Sequence, residues 1–425
     1  MMGFLILGAL ALLMILIAWP VLGLYAMALS LPIIGWNYYL GNLAVPFIDL
    51  IAFSTFIAFS IRLFYSLIFS PQQKIFLKWP LLFPFALFFL ANILSIIGAT
   101  QPTEAFYNFL RWPLFLYFAY IFLPFNIITN PKILKKTVIL VTISAGLVLL
   151  SGFLSLYSQD WQNSFFRLKS ILILGVYPFG ENQNLIAEFL NIGAFFILVI
   201  KEFLKNQRAK RIADIFFVLA IIGIILTFSR AGWLTLGLQL LIYAWYKTLS
   251  KGKEKLAVIM ITIFSLVLLS PLLWKMNILQ NKNTSSAANR WLLTEISYQA
   301  LKEKPLFGHG SGQFVRLVDD NIRFKAKYGE AVDAHGVLQK LIAENGLFGL
   351  AVWLFLLGYL LKIGLAAFKK YSPQLKWMLP FGLAIFGALF FQFFNTSYYK
   401  GKVWLPVALF LIAINFLEER YARKN

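Results

Sequence analysis

The sequence contains no cysteine and only two histidines in 425 residues. The first absence excludes disulfides and thiolate metal sites. The second leaves little for a metal to bind. Asp319, Asp320, Glu330 and Asp333 are not spaced as a cage, and no His-x-x-x-His or Glu-x-x-His pair occurs. No G-x-S-x-G elbow and no Walker-type loop is found, so neither a serine-hydrolase elbow nor ATP use is expected. No metal and no cofactor is therefore expected. Charge is scarce as well. Only 13% of residues are charged, against roughly a quarter in a soluble domain.

What fills the space is hydrocarbon. The chain is 60% hydrophobic and 17% aromatic, with a mean hydropathy of +0.77. Apolar runs recur from end to end, each long enough for the roughly 20 residues that cross a bilayer. This predicts an all-α fold, a polytopic transmembrane helical bundle. A β-barrel is excluded, because its strands would be short and alternating. The apolar runs lie at 2–34, 44–70, 79–98, 108–125, 134–157, 183–201, 212–228, 232–248, 256–275, 336–362, 376–396 and 402–418. The first run contains Pro20 and exceeds one straight span. One kinked helix gives twelve spans with the N-terminus inside; two short helices give thirteen with it outside. We take twelve. Met1 to Ile34 has no charged region before it and no cleavage signal, and reads as retained membrane helix rather than a signal peptide.

The net charge of +21 does not point to nucleic acid, because the cations fall in short loops between apolar runs. One set of loops is strongly basic: Lys74 and Lys78; Lys132, Lys135 and Lys136; Lys201 to Arg211; Lys247 to Lys255; Lys362 to Lys376; and Arg420 to Lys424. The short loops of the alternate set hold only six, Arg111, Arg167, Lys169, Arg230, Lys400 and Lys402. The positive-inside bias puts the basic set, and the C-terminus, in the cytoplasm. Three regions follow: an N-terminal transmembrane bundle over 1–275, a long polar loop on the outer face over 276–334, and C-terminal transmembrane helices over 335–425. A second outer segment covers 158–182. Polar loops of such length are uncommon without a structural or functional reason.

Within the long loop, "SSAANRWLLTEISYQALKEKP" predicts an amphipathic helix. Trp291, Leu292, Ile296 and Ala300 fall at helical spacing, with Ser285, Ser286 or Asn289 as a cap and Pro305 as the stop. "PLFGHGSGQF" follows and reads as a tight turn carrying His309. Arg230, in "LTFSRAGWLTL", lies between two apolar runs far from other charge. It is either a snorkelling anchor or an anion clamp, and its isolation favours the clamp. Arg111 in "YNFLRWPLFLY" is a similar case, while Arg62, deep in an apolar run, has no sequence-level account. His335 heads the run 336–362, with Gln339, Ile342 and Gly346 on its helical stripe. Gly346 would let another helix approach below it. Lys340 and Glu344 form an i,i+4 pair on another face. Spacing alone leaves His335 balanced between an interfacial cap and a general base.

Three stretches together resemble the O-antigen ligase and polymerase superfamily, bacterial integral-membrane glycosyltransferases acting on undecaprenyl-diphosphate-linked glycans. They are "FSRAGW" (228–233), "NRWLLTEISYQALKEKPLFGHGSGQF" (289–314) and "DAHGVLQKLIAENGLFG" (333–349), the last with His, ten residues, then Gly. "GENQNLIAEFL" (180–190) is similar to the family's Asn-containing helix start, which points to Asn184. The resemblance covers roughly 180–350. It implies His335 as the catalytic residue activating an acceptor hydroxyl, and Arg230 and Arg290 as diphosphate-binding. Arg111 and Asn184 are secondary candidates. It further implies a metal-independent, inverting transfer at the periplasmic face of the inner membrane, within a chain of about 12 spans carrying a long periplasmic loop. The partners implied are a glycan donor on undecaprenyl diphosphate, a lipid A-core or glycan acceptor, and membrane lipid. Many members have Asn after the histidine, whereas this chain has Gly336. Trp161, Tyr177, Trp291 and Tyr298 are either sugar platforms or interfacial anchors. Ligase is the first reading and polymerase the alternative. A bicarbonate-type transporter is less favoured, since no duplicated halves are visible.

Overall fold

The structure, a computed structural model, describes residues 2–40, 43–69, 76–159, 166–248 and 286–423. The expected span 256–275, the first part of the long loop, Trp161, Ser285, Lys74, Lys251, Lys253 and Lys255 lie outside the described residues. The N-terminal half runs α1 (Met2–Ala18), α2 (Pro20–Ser30), β1 (Asn37–Leu40), β2 (Leu43–Pro46), α3 (Phe47–Phe69), α4 (Leu82–Ile97), α5 (Pro102–Ile127), α6 (Pro131–Ser155), α7 (Gln183–Phe203), α8 (Gln207–Leu226) and α9 (Arg230–Thr248). After the gap come α10 (Ser286–Glu303), α11 (Phe314–Asp319), α12 (Ile322–Tyr328), α13 (Val337–Glu344), α14 (Gly346–Lys370), α15 (Leu375–Phe390) and α16 (Gly401–Ala422).

The helical reading holds, and the chain is a multi-pass membrane protein. Among the described residues, seven helices are long and apolar enough to cross a membrane, or eight if the bent pair α1–α2 is one span. That pair bends by 108°, so the first apolar run is no single straight helix. Pro20 removes the amide that would continue α1. Arg62 from α3 then donates from Nη1 to the Ala18 carbonyl at 2.8 Å, satisfying one of the orphan acceptors at the helix end. That accounts for an arginine the sequence left unexplained. The β1–β2 hairpin, antiparallel with Asn37 opposite Pro46, was not anticipated.

α7 and α16 are the most enclosed spans. α7 packs on α6, α8 and α15. It approaches α6 through Gly193, where an added Cβ would sit 2.2 Å from the Ala145 Cβ. α3 and α14 instead turn many large apolar side chains outward, such as Phe64, Leu67, Leu361 and Leu365. Such rings of exposed hydrocarbon fit a lipid surround. α5 is widened by two π-type turns, at 110–114 around Pro113 and at 118–122.

The expected amphipathic helix is α10. With α11 and α12 it closes a small separate core of Leu292, Leu293, Ile296, Phe314, Val318 and Phe324. Ala334 and Ala343 also belong to it, while Val337 and Leu341 point into the main core. α13 is thus the joint between the two.

Gly193→Val should lower stability by about 1–3 kcal/mol through overpacking against Ala145. Gly358→Ala, at a glycine with nothing within 4 Å, should not lower it. Thermal unfolding in detergent compares the two.

Candidate functional site

The turn between α8 and α9 follows from the "FSRAGW" residues one by one. Phe228 takes a left-handed conformation (φ 52°), which reverses the chain. Ser229 caps α9, its Oγ accepting from the Gly232 amide at 3.1 Å. Gly232 lets α9 close on α7, since a Cβ there would lie 2.8 Å from that of Ala187. The Trp233 indole donates back to the Ile224 and Ile225 carbonyls at 3.2 and 3.0 Å. Every one of these interactions fixes backbone. The Arg230 side chain is left exposed, with no hydrogen-bond or ion-pair partner among the described residues.

Arg290 lies in the first turns of α10, half-buried, and its Nε is buried without a hydrogen-bond partner. Burial lowers its pKa, and the positive charge of Arg230 lowers it further. Two guanidinium groups, 60 residues apart in the chain, are therefore held within electrostatic reach of each other. Arg290 in turn acts on His335. The histidine's pKa lies below the ordinary 6.5, first through burial, then through Arg290, with Asp333 opposing. Arg290 is thus coupled to Arg230 on one side and to His335 on the other.

Gln339 holds the histidine segment. Its Oε1 accepts from the His335 amide at 3.1 Å, and its Nε2 donates to Thr294 Oγ1 at 2.6 Å. α13 is thereby tied to α10, one turn from Arg290. One expectation needs correction here. The run from 336 is not one helix. α13 stops at Asn345, and Gly346 (φ 64°) breaks the chain before α14. A Cβ on Gly346 would lie 2.5 Å from the Leu306 carbonyl. The glycine is required by a positive φ and by the approach of the 304–308 turn, not by a helix packed below the histidine.

Lys340 pairs with Glu344 as the spacing predicts, and has a second acidic partner that the spacing did not show. It is fully buried and bonds both Asp333 oxygens at 2.8 Å, with Glu344 farther off at 3.8 Å. Its ammonium also lies 4.9 Å from the Trp112 ring and 5.3 Å from Tyr399, two rings stacked at 4.7 Å. Burial disfavours the ammonium, but Glu344 and Asp333 outweigh it and raise its pKa. Burial pushes Glu344 up to about 7, against Lys340 and the Gly312 and Phe314 amides.

The turn "PLFGHGSGQF" is sewn to α13. Gly308, Gly310 and Gly312 all have positive φ. The His309 and Gly310 amides donate to the Ala343 and Glu344 carbonyls at 2.9 and 2.8 Å. The His309 ring is buried, with Nε2 at 3.1 Å from the Ala300 carbonyl. It closes the turn.

Of the secondary candidates, Arg111 is half-buried and donates to the Ala44 carbonyl of the hairpin. Asn184 is also half-buried at the start of α7, which Asn182 caps by accepting the Asn184 amide at 2.9 Å. Among the described residues, neither hydrogen-bonds to His335. Sequence reading missed a buried cluster near them. Glu188 on α7 is 0% exposed and accepts from Gln392 and Asn395 at 2.9 Å and from Lys402 at 2.5 Å. Thr396, next to Asn395, donates its hydroxyl to the Ala334 carbonyl at 3.0 Å, linking this cluster to the histidine segment. Burial and Lys402 lower the pKa of Lys400 to about 8. A lone acid in one apolar run and a lone base in another were the available signal.

Residues 215–354 match a protein family model described as O-Antigen ligase. The matched segment contains Arg230, Arg290 and His335 and supports placement in the O-antigen ligase and polymerase superfamily. No curated protein matches the chain.

Lys340→Met would leave the Asp333 and Glu344 carboxyls without their buried cation. A loss of about 3–5 kcal/mol is expected, partly recovered in Lys340→Met/Asp333→Asn. Unchanged thermal unfolding of Lys340→Met would rule out the clamp.

Proposed function

We propose that this chain, whose residues 215–354 match the O-antigen ligase family, is an O-antigen ligase. It moves a glycan from undecaprenyl diphosphate to a lipid A-core acceptor at the periplasmic face of the bacterial inner membrane. The observation that carries the reading is the Gln339 bridge that ties the His335 segment to the helix of Arg290, with Arg290 acting electrostatically on the histidine and Arg230 on Arg290.

The chemistry follows from those groups. An acceptor hydroxyl oxygen attacks the anomeric carbon as the bond from that carbon to the phosphate oxygen breaks. Attack opposite the leaving group inverts the anomeric centre. The diphosphate leaves with the electron pair. Arg230, exposed and unpartnered, and Arg290, with a buried Nε unpaired, stabilise that developing charge as fixed donors. His335 takes the hydroxyl proton on a ring nitrogen. Its depressed pKa keeps the imidazole neutral, and so able to accept, at neutral pH. Asp333 would raise that pKa more if it were free, but Lys340 holds both its oxygens. The basic ends of the helices then lie in the cytoplasm with the C-terminus, and the segment 286–336 lies in the periplasm. A polymerase would use the same groups with a growing glycan as acceptor.

Lipopolysaccharide from a deletion strain decides between these readings. Loss of glycan from lipid A-core, with undecaprenyl-linked polymer accumulating, identifies a ligase. A ladder collapsed to one repeat identifies a polymerase. Unchanged glycans would remove both. In vitro, His335→Ala should abolish transfer in normally inserted protein, and Arg230→Gln and Arg290→Gln should each cost about 10²–10³ in kcat.

The pH profile provides a separate check. Activity needs neutral His335, so the acid limb of kcat/KM should have its midpoint below the ordinary 6.5. Arg290→Gln removes a charge that lowers the pKa and should move the limb up. Asp333→Asn removes one that raises it and should move the limb down.

A further inference from the structure

At the far end of the bundle from His335, a cleft of about 410 Å³ opens between α6, α7, α15 and α16. Its walls are hydrocarbon, including Val138, Ile200, Phe203, Phe381 and Phe416. Its rim carries three cations, Lys132, Lys135 and Arg420. Two other apolar clefts, one between α6, α7 and α8 and one between α14, α15 and α16, have no charged residue in their lining. Apolar walls alone therefore do not bring cations with them.

These cations are available. Lys132 and Arg420 are exposed, and among the described residues neither side chain has a hydrogen-bond or ion-pair partner. Lys135 rests its ammonium 5.8 Å from the Phe203 ring, a contact that leaves its charge uncancelled. Of the acids nearby, Glu419 pairs with Lys78 at 2.9 Å and Asp214 with Lys201, while Glu202 and Glu418 are exposed and in no ion pair among the described residues, and neither lines the cleft. Trp377, 5.8 Å from Phe203, closes the cleft at the level of the cations, as interfacial tryptophans do.

Depth fixes which part of a ligand meets which part of the cleft. Along α16, Lys402 in the buried cluster and Arg420 at the rim are 18 residues apart, about 27 Å. Along α7, Glu188 and Phe203 are 15 residues apart, about 22 Å. A bilayer hydrocarbon core is about 30 Å thick. The rim thus sits at the headgroup layer opposite the Arg230 end, with the apolar walls reaching into the acyl region.

We propose that this cleft binds an anionic glycerophospholipid of that leaflet. Its phosphate is held by Lys132, Lys135 and Arg420, and an acyl chain lies along Phe203, Phe381 and Phe416. The site is independent of the transfer chemistry. It ties α6 to α16, the helix whose other end supplies Lys402 to the buried cluster.

The test uses the full chain in detergent with equimolar phosphatidylglycerol and phosphatidylcholine of the same acyl composition, read by native mass spectrometry. Wild type should retain phosphatidylglycerol in preference. Each cation removed, as Lys132→Ala, Lys135→Ala or Arg420→Ala, should weaken that preference roughly fivefold. All three side chains are exposed, so the fold is not at risk. Lys362→Ala/Lys369→Ala removes charge outside the cleft and should leave the preference intact. Phosphatidylglycerol should raise the unfolding temperature of wild type but not of the triple variant. Equal retention of both lipids by wild type would overturn the proposal, as would a preference surviving in the triple variant. Displacement of phosphatidylglycerol by equimolar undecaprenyl phosphate would overturn the assignment to a glycerophospholipid.

Discussion

The buried ammonium of Lys340 is the constraint on which the site depends. A charge with 2% side-chain exposure can exist only if its surroundings answer it. Asp333 answers from the histidine segment, Glu344 from the end of the same helix, and Trp112 and Tyr399 from two other parts of the bundle. Each must be in place for the ammonium to be tolerated. The position of His335, two residues from Asp333, is thereby coupled to the packing of α5 and of the segment before α16.

The next layer is built from backbone. Glu344 accepts from the Phe314 amide at 3.1 Å. The adjacent Asn345 side chain donates to Asn92 and Ser95 of α4 at 3.3 and 3.2 Å. The glycine turn is held on one side by these groups and on the other by Ser311, which donates to Asn92 at 2.6 Å. The outer elements are thus fastened to the membrane bundle by a satisfied polar network at a helix break. Outside it, Arg290 keeps a buried Nε without a hydrogen-bond partner, and Arg230 is exposed with no ion-pair partner among the described residues.

Much of the bundle was legible in the sequence. Lone apolar stretches, basic loops and the spacing in α10 are local properties, and the helices lie close to where those properties put them. The "FSRAGW" turn was legible as a motif, though the role of each residue in shaping backbone was not. The failures have a common cause. A continuous run such as 336–362 has the same periodicity whether or not a glycine breaks it, so the α13–α14 junction could not be read. Lys340 and Glu344 pair as their helical spacing predicts, but nothing local says that a closer partner lies at Asp333. Glu188 and Lys402 are 214 residues apart, and nothing local pairs an acid in one apolar run with a base at the head of another.

The sequence by itself determined solvent and secondary structure. Hydrocarbon content requires a bilayer, and a backbone in a bilayer must satisfy its own hydrogen bonds as helix. It also singled out Arg230, a cation isolated between apolar runs, while Arg290 and the catalytic role of His335 came from the family resemblance. Only the tertiary structure decided which of these meet, and which cations are neutralised. Lys340 is held by two carboxyls and Arg111 is turned to the hairpin, while Arg290 acts on a histidine of depressed pKa and Arg230 on Arg290. That distinction depends on distances between segments far apart in the chain, set by packing that no local pattern encodes.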